Sequence, residues 1–181
     1  MSNNGITGLR PAKLGTFLAL LTILYSFALG AAFGLFEEDV KGHLKTEAEA
    51  VKDTVYQGDQ AKMKKITDKS WVYLKRAHLH SGVLGGIALA IALFLGIANT
   101  CSFCKFAGSL CLGLGSLGYS VFWMLAGLTA PALGSTGAAK KTLEMLAQPA
   151  AGLCILGLLF AFMALFKTMC CSGACDTREP Y

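Results

Sequence analysis

Four long stretches of the chain contain no charged residue, and they constrain the fold more than any other feature. They cover residues 14–36, 81–100, 106–129 and 147–166. A helix needs about 20 apolar residues to cross roughly 30 Å of hydrocarbon at 1.5 Å per residue. The chain of 181 residues is 15% charged, whereas about a quarter of the residues are charged in soluble domains. The sequence therefore predicts an all-α fold, an integral membrane four-helix bundle whose spans are these stretches.

The segment between the first two predicted spans, residues 37–80, is the main part of the chain predicted to lie outside the membrane. Apolar residues recur in it at intervals of three and four, at Val40, Leu44, Ala48, Val51 and Val55. That periodicity indicates an amphipathic helix. Gly58 marks a break, and a second helix from about Gln60 is predicted to run directly into the second span. Residues 1–181 are predicted to form a single four-span membrane domain, since no long linker or repeat interrupts them.

The lysine and arginine distribution predicts the orientation of a multi-pass protein in the cell (inner or plasma) membrane. Four spans place both termini on one side. The opposite side carries nine Lys/Arg in residues 37–76 and two more at Lys140 and Lys141, against five on the side of the termini. Because positive charge marks the cytoplasmic side, this distribution favours termini outside the cell. Arg10 and Lys13 before the first span favour the reverse, since the first helix often sets the orientation.

Small residues at four-residue spacing occur in each predicted span. Helices in lipid associate through close packing of small residues, because lipid tails are as apolar as leucine. The glycines expected to make these contacts are Gly30, Gly34, Gly82, Gly86, Gly115 and Gly157. We expect them to pack the spans within one chain, and the alternative is a homo-oligomer formed through one exposed ridge.

The predicted spans contain no Asp, Glu, Lys or Arg. Proton relays and ion pathways usually need such groups, so a small-solute channel or transporter ranks third among the expected functions. No basic run is interleaved with aromatic residues, and nucleic acid is therefore not a predicted partner. The leading expectation is a non-enzymatic integral membrane protein without a cofactor. It would be an interaction, accessory or assembly subunit, with the lipid bilayer and a membrane-complex subunit or a second copy as partners.

Three histidines are candidate ligands for a b-type haem or a metal ion. His78 and His80 are two residues apart, so on a helix they point about 200° away from each other and cannot share one ion. At most one of them is expected to face the other spans. His43 lies on the same predicted side of the membrane, and the alternative function is a redox subunit that uses His43 with His78 or His80. In the competing interpretation, His78 and His80 are interfacial residues beside Lys75 and Arg76.

Five of the seven cysteines lie outside the predicted spans, on one predicted face of the membrane. Cys101 and Cys104 form a C-x-x-C pair after the second span, and Cys170, Cys171 and Cys175 follow the fourth. On an oxidising face, disulfides could join the tail to the turn. On a cytoplasmic face, four thiolates could bind zinc. Free or S-acylated thiols are the third interpretation, and the sequence leaves all three open.

Several short motifs follow one another in the order found in a family of small four-span integral membrane proteins of unknown function. That family carries a G-A-F-G-A-H-type segment at the end of its first span and a Tyr- and His-containing stretch entering its second. The runs that resemble it, within residues 14–166, are GAAFGLF (30–36), KGHLK (41–45), WVYLKRAHLH (71–80), FAGSLCLGLGSLGYS (106–120) and LAGLTAPALG (125–134). The chain departs from the family by the insertion EEDV (37–40). The resemblance implies a membrane location and a four-helix fold, and it carries over no activity.

A second resemblance concerns the four residues A-H-L-H (77–80) at the start of the second span. They are similar to the haem-ligating helices of oxidase-like membrane proteins. This similarity supports the redox alternative.

Overall fold

The computed structural model describes residues 9–171, which are almost entirely helical and include no β-strand. A short 3-10 turn at Arg10–Ala12 precedes six α-helices. In chain order they are α1 (Lys13–Leu35), α2 (Glu37–Ala50), α3 (Gln60–Ile97), α4 (Ser102–Leu133), α5 (Thr136–Thr142) and α6 (Glu144–Cys171). α1, α3, α4 and α6 are each long and apolar enough to cross a membrane. The predictions of an all-α fold and of four helices with the length and composition of spans are confirmed.

The other long helices pack around α4. α1 packs against α3 and α4, while α6 packs mainly against α4. Half of the residues in the most apolar stretch of α4 are buried, whereas only 17% are buried in the corresponding stretches of α1 and α6. The outer faces of α1 and α6 therefore remain apolar and exposed. Large side chains on these two faces include Leu14, Phe17, Leu24, Phe27, Ile155, Phe162, Met163 and Phe166.

The charged part of the chain folds as α2, the connection 51–59 and the first turns of α3, and we call residues 37–76 the headpiece. α2 buries Leu44 and Ala48, two members of the predicted apolar stripe. The carboxylate of Asp59 accepts a hydrogen bond from the backbone N–H of Lys62 at 2.9 Å and caps the start of α3. From there α3 continues without a break to Ile97, as predicted.

α2 is shorter than its apolar stripe predicts. The stripe reaches Val55, but α2 ends at Ala50 and the chain turns inward so that Tyr56 is buried. The Tyr56 hydroxyl donates a hydrogen bond to the carbonyl oxygen of Pro131 at 2.6 Å, and burial raises the pKa of this tyrosine. This tertiary contact, together with the low helix propensity of the β-branched residues in the segment, replaces the last turn of the predicted helix.

α4 is longer than the charge-free stretch 106–129 that predicted it. It continues through Pro131 to Leu133 and ends at Gly134, whose φ of +59° forms a left-handed C-cap. A side chain at Gly134 would overlap Val55. Val55, in the headpiece connection, can therefore pack against the end of α4 because Gly134 has no side chain.

The structure places the predicted packing glycines in two different environments. Gly82 faces Ser26, and Gly115 and Gly157 lie between α4 and α6. Gly30 lies against the ring of His78. In contrast, a Cβ at Gly34 or Gly86 would meet nothing within 4 Å, so these two glycines contact no other helix of the described chain, and the alternative of a homo-oligomer formed through an exposed ridge stays a prediction. α1 and α4 approach closely at Gly15 and Gly113 instead, where the backbones of the two helices meet.

Replacing Gly15 with alanine tests whether this backbone contact holds α1 in place. The new Cβ would overlap the backbone carbonyl and Cβ of Ser109, and overpacking of this kind costs about 1–3 kcal/mol. We expect Gly15→Ala to lower the free energy of unfolding in detergent by about that amount, measured by circular dichroism during denaturant titration. The matched control is Gly86→Ala, which has open space around it. Equal stability of the two variants would contradict the contact.

Removing the Tyr56 hydroxyl tests the tie between the headpiece and α4. Tyr56→Phe leaves the carbonyl oxygen of Pro131 without this donor, and we expect a loss of about 1 kcal/mol. The measurement is the midpoint of thermal unfolding in detergent. Thr54→Val serves as the control, because the exposed hydroxyl of Thr54 bonds only to its neighbour Val51. A Tyr56→Phe midpoint no lower than that of Thr54→Val would show that the bond does not stabilise the fold.

Candidate functional site

His78 lies at the middle of α3 and faces α1. Its Nδ1 is 2.9 Å from the carbonyl oxygen of Ser26. A carbonyl oxygen can only accept, so Nδ1 carries the proton and donates it. The Ser26 hydroxyl in turn donates to the carbonyl oxygen of His78 at 2.8 Å. Two hydrogen bonds therefore join the same pair of residues and tie α3 to α1.

The orientation of the His78 ring is set by its neighbours. A Cβ at Gly30 would lie 2.8 Å from Cε1 of the ring, so the imidazole occupies the space that glycine leaves free. The ring of Phe33 meets it edge-on, with centroids 6.4 Å apart. Nε2 has no hydrogen-bond partner among residues 9–171, and in the neutral imidazole that donates from Nδ1 it carries the lone pair. An imidazole that donates one nitrogen to a backbone carbonyl and leaves the other free has the arrangement of a metal-ligating histidine.

His80 points in a different direction and packs on α4. Its ring stacks on Tyr119 at 5.5 Å and 9°, and it meets Trp123 edge-on at 5.8 Å. The expectation that at most one of the two histidines faces the other long helices is wrong, because His78 packs against α1 and His80 against α4. The inference that they diverge holds. Two residues apart on a helix, the rings point in different directions, and α1 lies in one direction and α4 in the other.

An aromatic cluster around Trp123 was not predicted from the sequence. Tyr73 lies edge-on to Trp123 at 5.0 Å, and the guanidinium of Arg76 lies 5.0 Å from the indole centre. Trp123 Nε1 is the one buried side-chain nitrogen or oxygen in the described part of the chain without a hydrogen-bond partner. The sequence contains these residues as two pairs at four-residue spacing, Arg76 with His80 and Tyr119 with Trp123. Each pair lies on one helix face, but the two pairs become adjacent only when α3 packs against α4.

His43 lies on the exposed face of α2. Neither a hydrogen bond nor a ring contact joins it to His78 or His80 in the described structure. No group of three or more His, Cys, Asp or Glu side chains within residues 9–171 could hold a metal ion. The three candidate ligands are thus placed separately, and His78 alone has the geometry of an oriented ligand.

The described cysteines outside the apolar stretches lie at one end of the long helices. The sulfur atoms of Cys101 and Cys104 are 2.7 Å apart in the turn between α3 and α4. Cys170 is exposed near the end of α6. The side chain of Cys171 and the whole of Cys175 lie outside the described residues, so zinc binding by the cluster and a disulfide to the tail stay predictions. Cys154 packs against Gly115 in the α4–α6 contact.

The headpiece contains an open groove of about 600 Å³ between α2 and the start of α3. Its lining includes Glu38, Lys41, Leu44, Lys45, Glu49, Gln60, Met63, Lys64, Thr67, Asp68 and Trp71. Lys41 forms ion pairs with Glu37 at 2.6 Å and Glu38 at 3.1 Å, and hydrogen bonds to these carboxylates raise its pKa. Its ammonium also lies 5.6 Å from the centre of the Trp71 ring. The amphipathic pattern predicted the helices of this segment but not the space between them.

Comparison of the chain with protein-family models, with curated proteins and with solved structures finds no match. The resemblance to a family of four-span membrane proteins therefore stays a prediction, and the geometry described above is the basis for function.

Proposed function

We propose that this chain is a multi-pass membrane protein in which α1, α3, α4 and α6 form a four-helix membrane bundle. It acts without catalysis, as an interaction or accessory subunit of a membrane complex. The exposed apolar faces of α1 and α6 support lipid contact, because nothing in the described chain covers them. Leu9 contacts Gly96 near the end of α3, which supports an arrangement with both termini on the face opposite the headpiece. The positive-inside rule then favours a cytoplasmic headpiece and termini outside the cell membrane.

The observation that carries this proposal is the headpiece groove. Its lining holds three lysines (Lys41, Lys45 and Lys64) and three carboxylates (Glu38, Glu49 and Asp68), so its formal charges cancel. Met63 and Trp71, both half-buried, add apolar surface. A groove between two helices with this lining suits a third, amphipathic helix whose apolar residues are flanked by charges of both signs. We propose that a helical segment of a partner protein occupies it.

Crosslinking from two positions on α3 tests this assignment. A photoreactive residue in place of Gln60, which lines the groove, should give a crosslinked product of one defined mass in native membranes. The same residue in place of Lys69, which is exposed and not part of the groove lining, is the matched control. Lys45→Glu should reduce the Gln60 product at least about fivefold, because it reverses one charge of the groove (about 1 kcal/mol). Equal products from both positions, unchanged by Lys45→Glu, would contradict the proposal.

The second candidate function is a haem- or metal-binding redox subunit, and the geometry of His78 is the observation that favours it. The bond from Nδ1 to the Ser26 carbonyl orients the ring and leaves Nε2 without a hydrogen-bond partner, so Nε2 would be the atom to hold a haem iron or a metal ion. The groove has no role in this candidate, so the two proposals fail independently. Nothing in the described structure favours the channel or transporter class over these two.

An absorption spectrum and a metal analysis of the purified protein in detergent test the redox candidate. If a haem is bound through His78, the Soret band should disappear in His78→Gln and persist in His80→Gln, because His80 is turned toward α4. Circular dichroism of both variants checks that the fold is retained. A colourless, metal-free protein, purified from cells supplied with haem precursor and metal, would remove this candidate.

A further inference from the structure

We propose that Cys101 and Cys104 form a thiol–disulfide exchange site, which passes between a dithiol and an internal disulfide by reaction with a disulfide substrate. The site lies in the turn between α3 and α4, at the end of the long helices opposite the headpiece. It does not depend on the proposed accessory function or on haem binding.

The positions of the two sulfur atoms carry the inference. Cys101 is the N-cap of α4 and Cys104 lies in its first turn, which brings the thiols to the same side of the helix start. Their Sγ atoms are 2.7 Å apart. Cys101 is exposed, while Cys104 is half-buried, so one sulfur is open to a substrate and the other lies directly behind it.

The turn that carries the thiols is held on both sides. The Lys105 ammonium donates a hydrogen bond to the carbonyl oxygen of Gly96 at 2.7 Å, which closes the turn back onto α3. The ring of Phe103 meets Phe160 of α6 edge-on at 6.4 Å. The two cysteines therefore approach each other without a rearrangement of the chain.

The surroundings assign different roles to the two thiols. The hydrogen bond between the two thiols lowers the pKa of Cys101, and the ammonium of Lys167 on α6 acts in the same direction. The backbone N–H of Cys104 also donates to the Cys101 sulfur, at 3.3 Å. A thiolate stabilised in this way is the attacking nucleophile in thiol–disulfide exchange. Cys101 is thus the attacking residue and Cys104 the resolving one.

The chemistry balances over two exchange steps. The Cys101 thiolate attacks one sulfur of a substrate R–S–S–R′, forms the mixed disulfide Cys101–S–S–R and releases R′–S⁻. The Cys104 thiol loses its proton and attacks the Cys101 sulfur, which forms the internal disulfide and releases R–S⁻. The two cysteines lose two electrons and two protons in total, and the substrate disulfide gains them as two thiols. The reverse sequence reduces the site with two thiols.

The test uses the full-length protein in detergent with glutathione disulfide as the substrate probe. We expect Cys101 and Cys104 to become protected from maleimide together, with the mass change of one internal disulfide. In Cys104→Ser the glutathione adduct should remain on Cys101, because the resolving thiol is gone. In Cys101→Ser, Cys104 should form an adduct about tenfold more slowly. Circular dichroism verifies that each variant is folded.

Four outcomes would overturn the proposal. Both thiols could remain open to maleimide in excess glutathione disulfide, or the two serine variants could form adducts at equal rates. A disulfide could also join Cys101 or Cys104 to Cys170, Cys171 or Cys175, at or after the end of α6. A variant with serine at Cys170, Cys171 and Cys175 should keep the internal disulfide, and its failure to do so would likewise contradict an internal pair.

Discussion

The backbone contact between α1 and α4 is the constraint on which the arrangement of the long helices depends. Gly15 and Gly113 meet there without side chains between them, and a Cβ at Gly113 would lie 2.9 Å from the Gly15 carbonyl oxygen. In the proposed membrane bundle, helices gain little from hiding apolar surface from one another, so close packing would supply the attraction. α4 repeats this device on its other side, where Gly115 lies against Ala150 of α6. Its small residues thus set how closely α1 and α6 approach it.

The headpiece takes its position from the same helix. Tyr56 donates to the last turn of α4, and Val55 occupies the space that Gly134 leaves free. The groove between α2 and α3 therefore has a fixed position relative to the long helices, although α2 and α3 make few contacts with each other. At the opposite end, the Cys101–Cys104 turn begins α4. A single helix connects the proposed partner site and the proposed exchange site.

Local sequence patterns predicted which residues form helices, but they predicted poorly which helices pack against each other, and the reason is physical. The charge-free stretches and the four-residue spacing of Leu44 and Ala48 depend only on local helix geometry. They therefore identified the long helices and the buried face of α2. Four-residue glycine spacing also identifies a face, but it cannot say whether a helix lies opposite it. Gly30 therefore packs as expected for a small residue while Gly34, on the same helix face, meets nothing. The role of Gly30 beneath His78 needed the position of α3, which no local pattern contains.

The unbroken course of α3 has a geometric consequence. Its 38 residues extend over about 57 Å at 1.5 Å per residue, nearly twice the roughly 30 Å of a hydrocarbon core. One continuous helix therefore forms a wall of the headpiece groove at one end and leads, past Ile97, into the turn that carries Cys101 and Cys104 at the other. The hydrogen bonds between Ser26 and His78 join it to α1 near its middle. The spacing between the two proposed sites is thus set by the length of a single secondary-structure element.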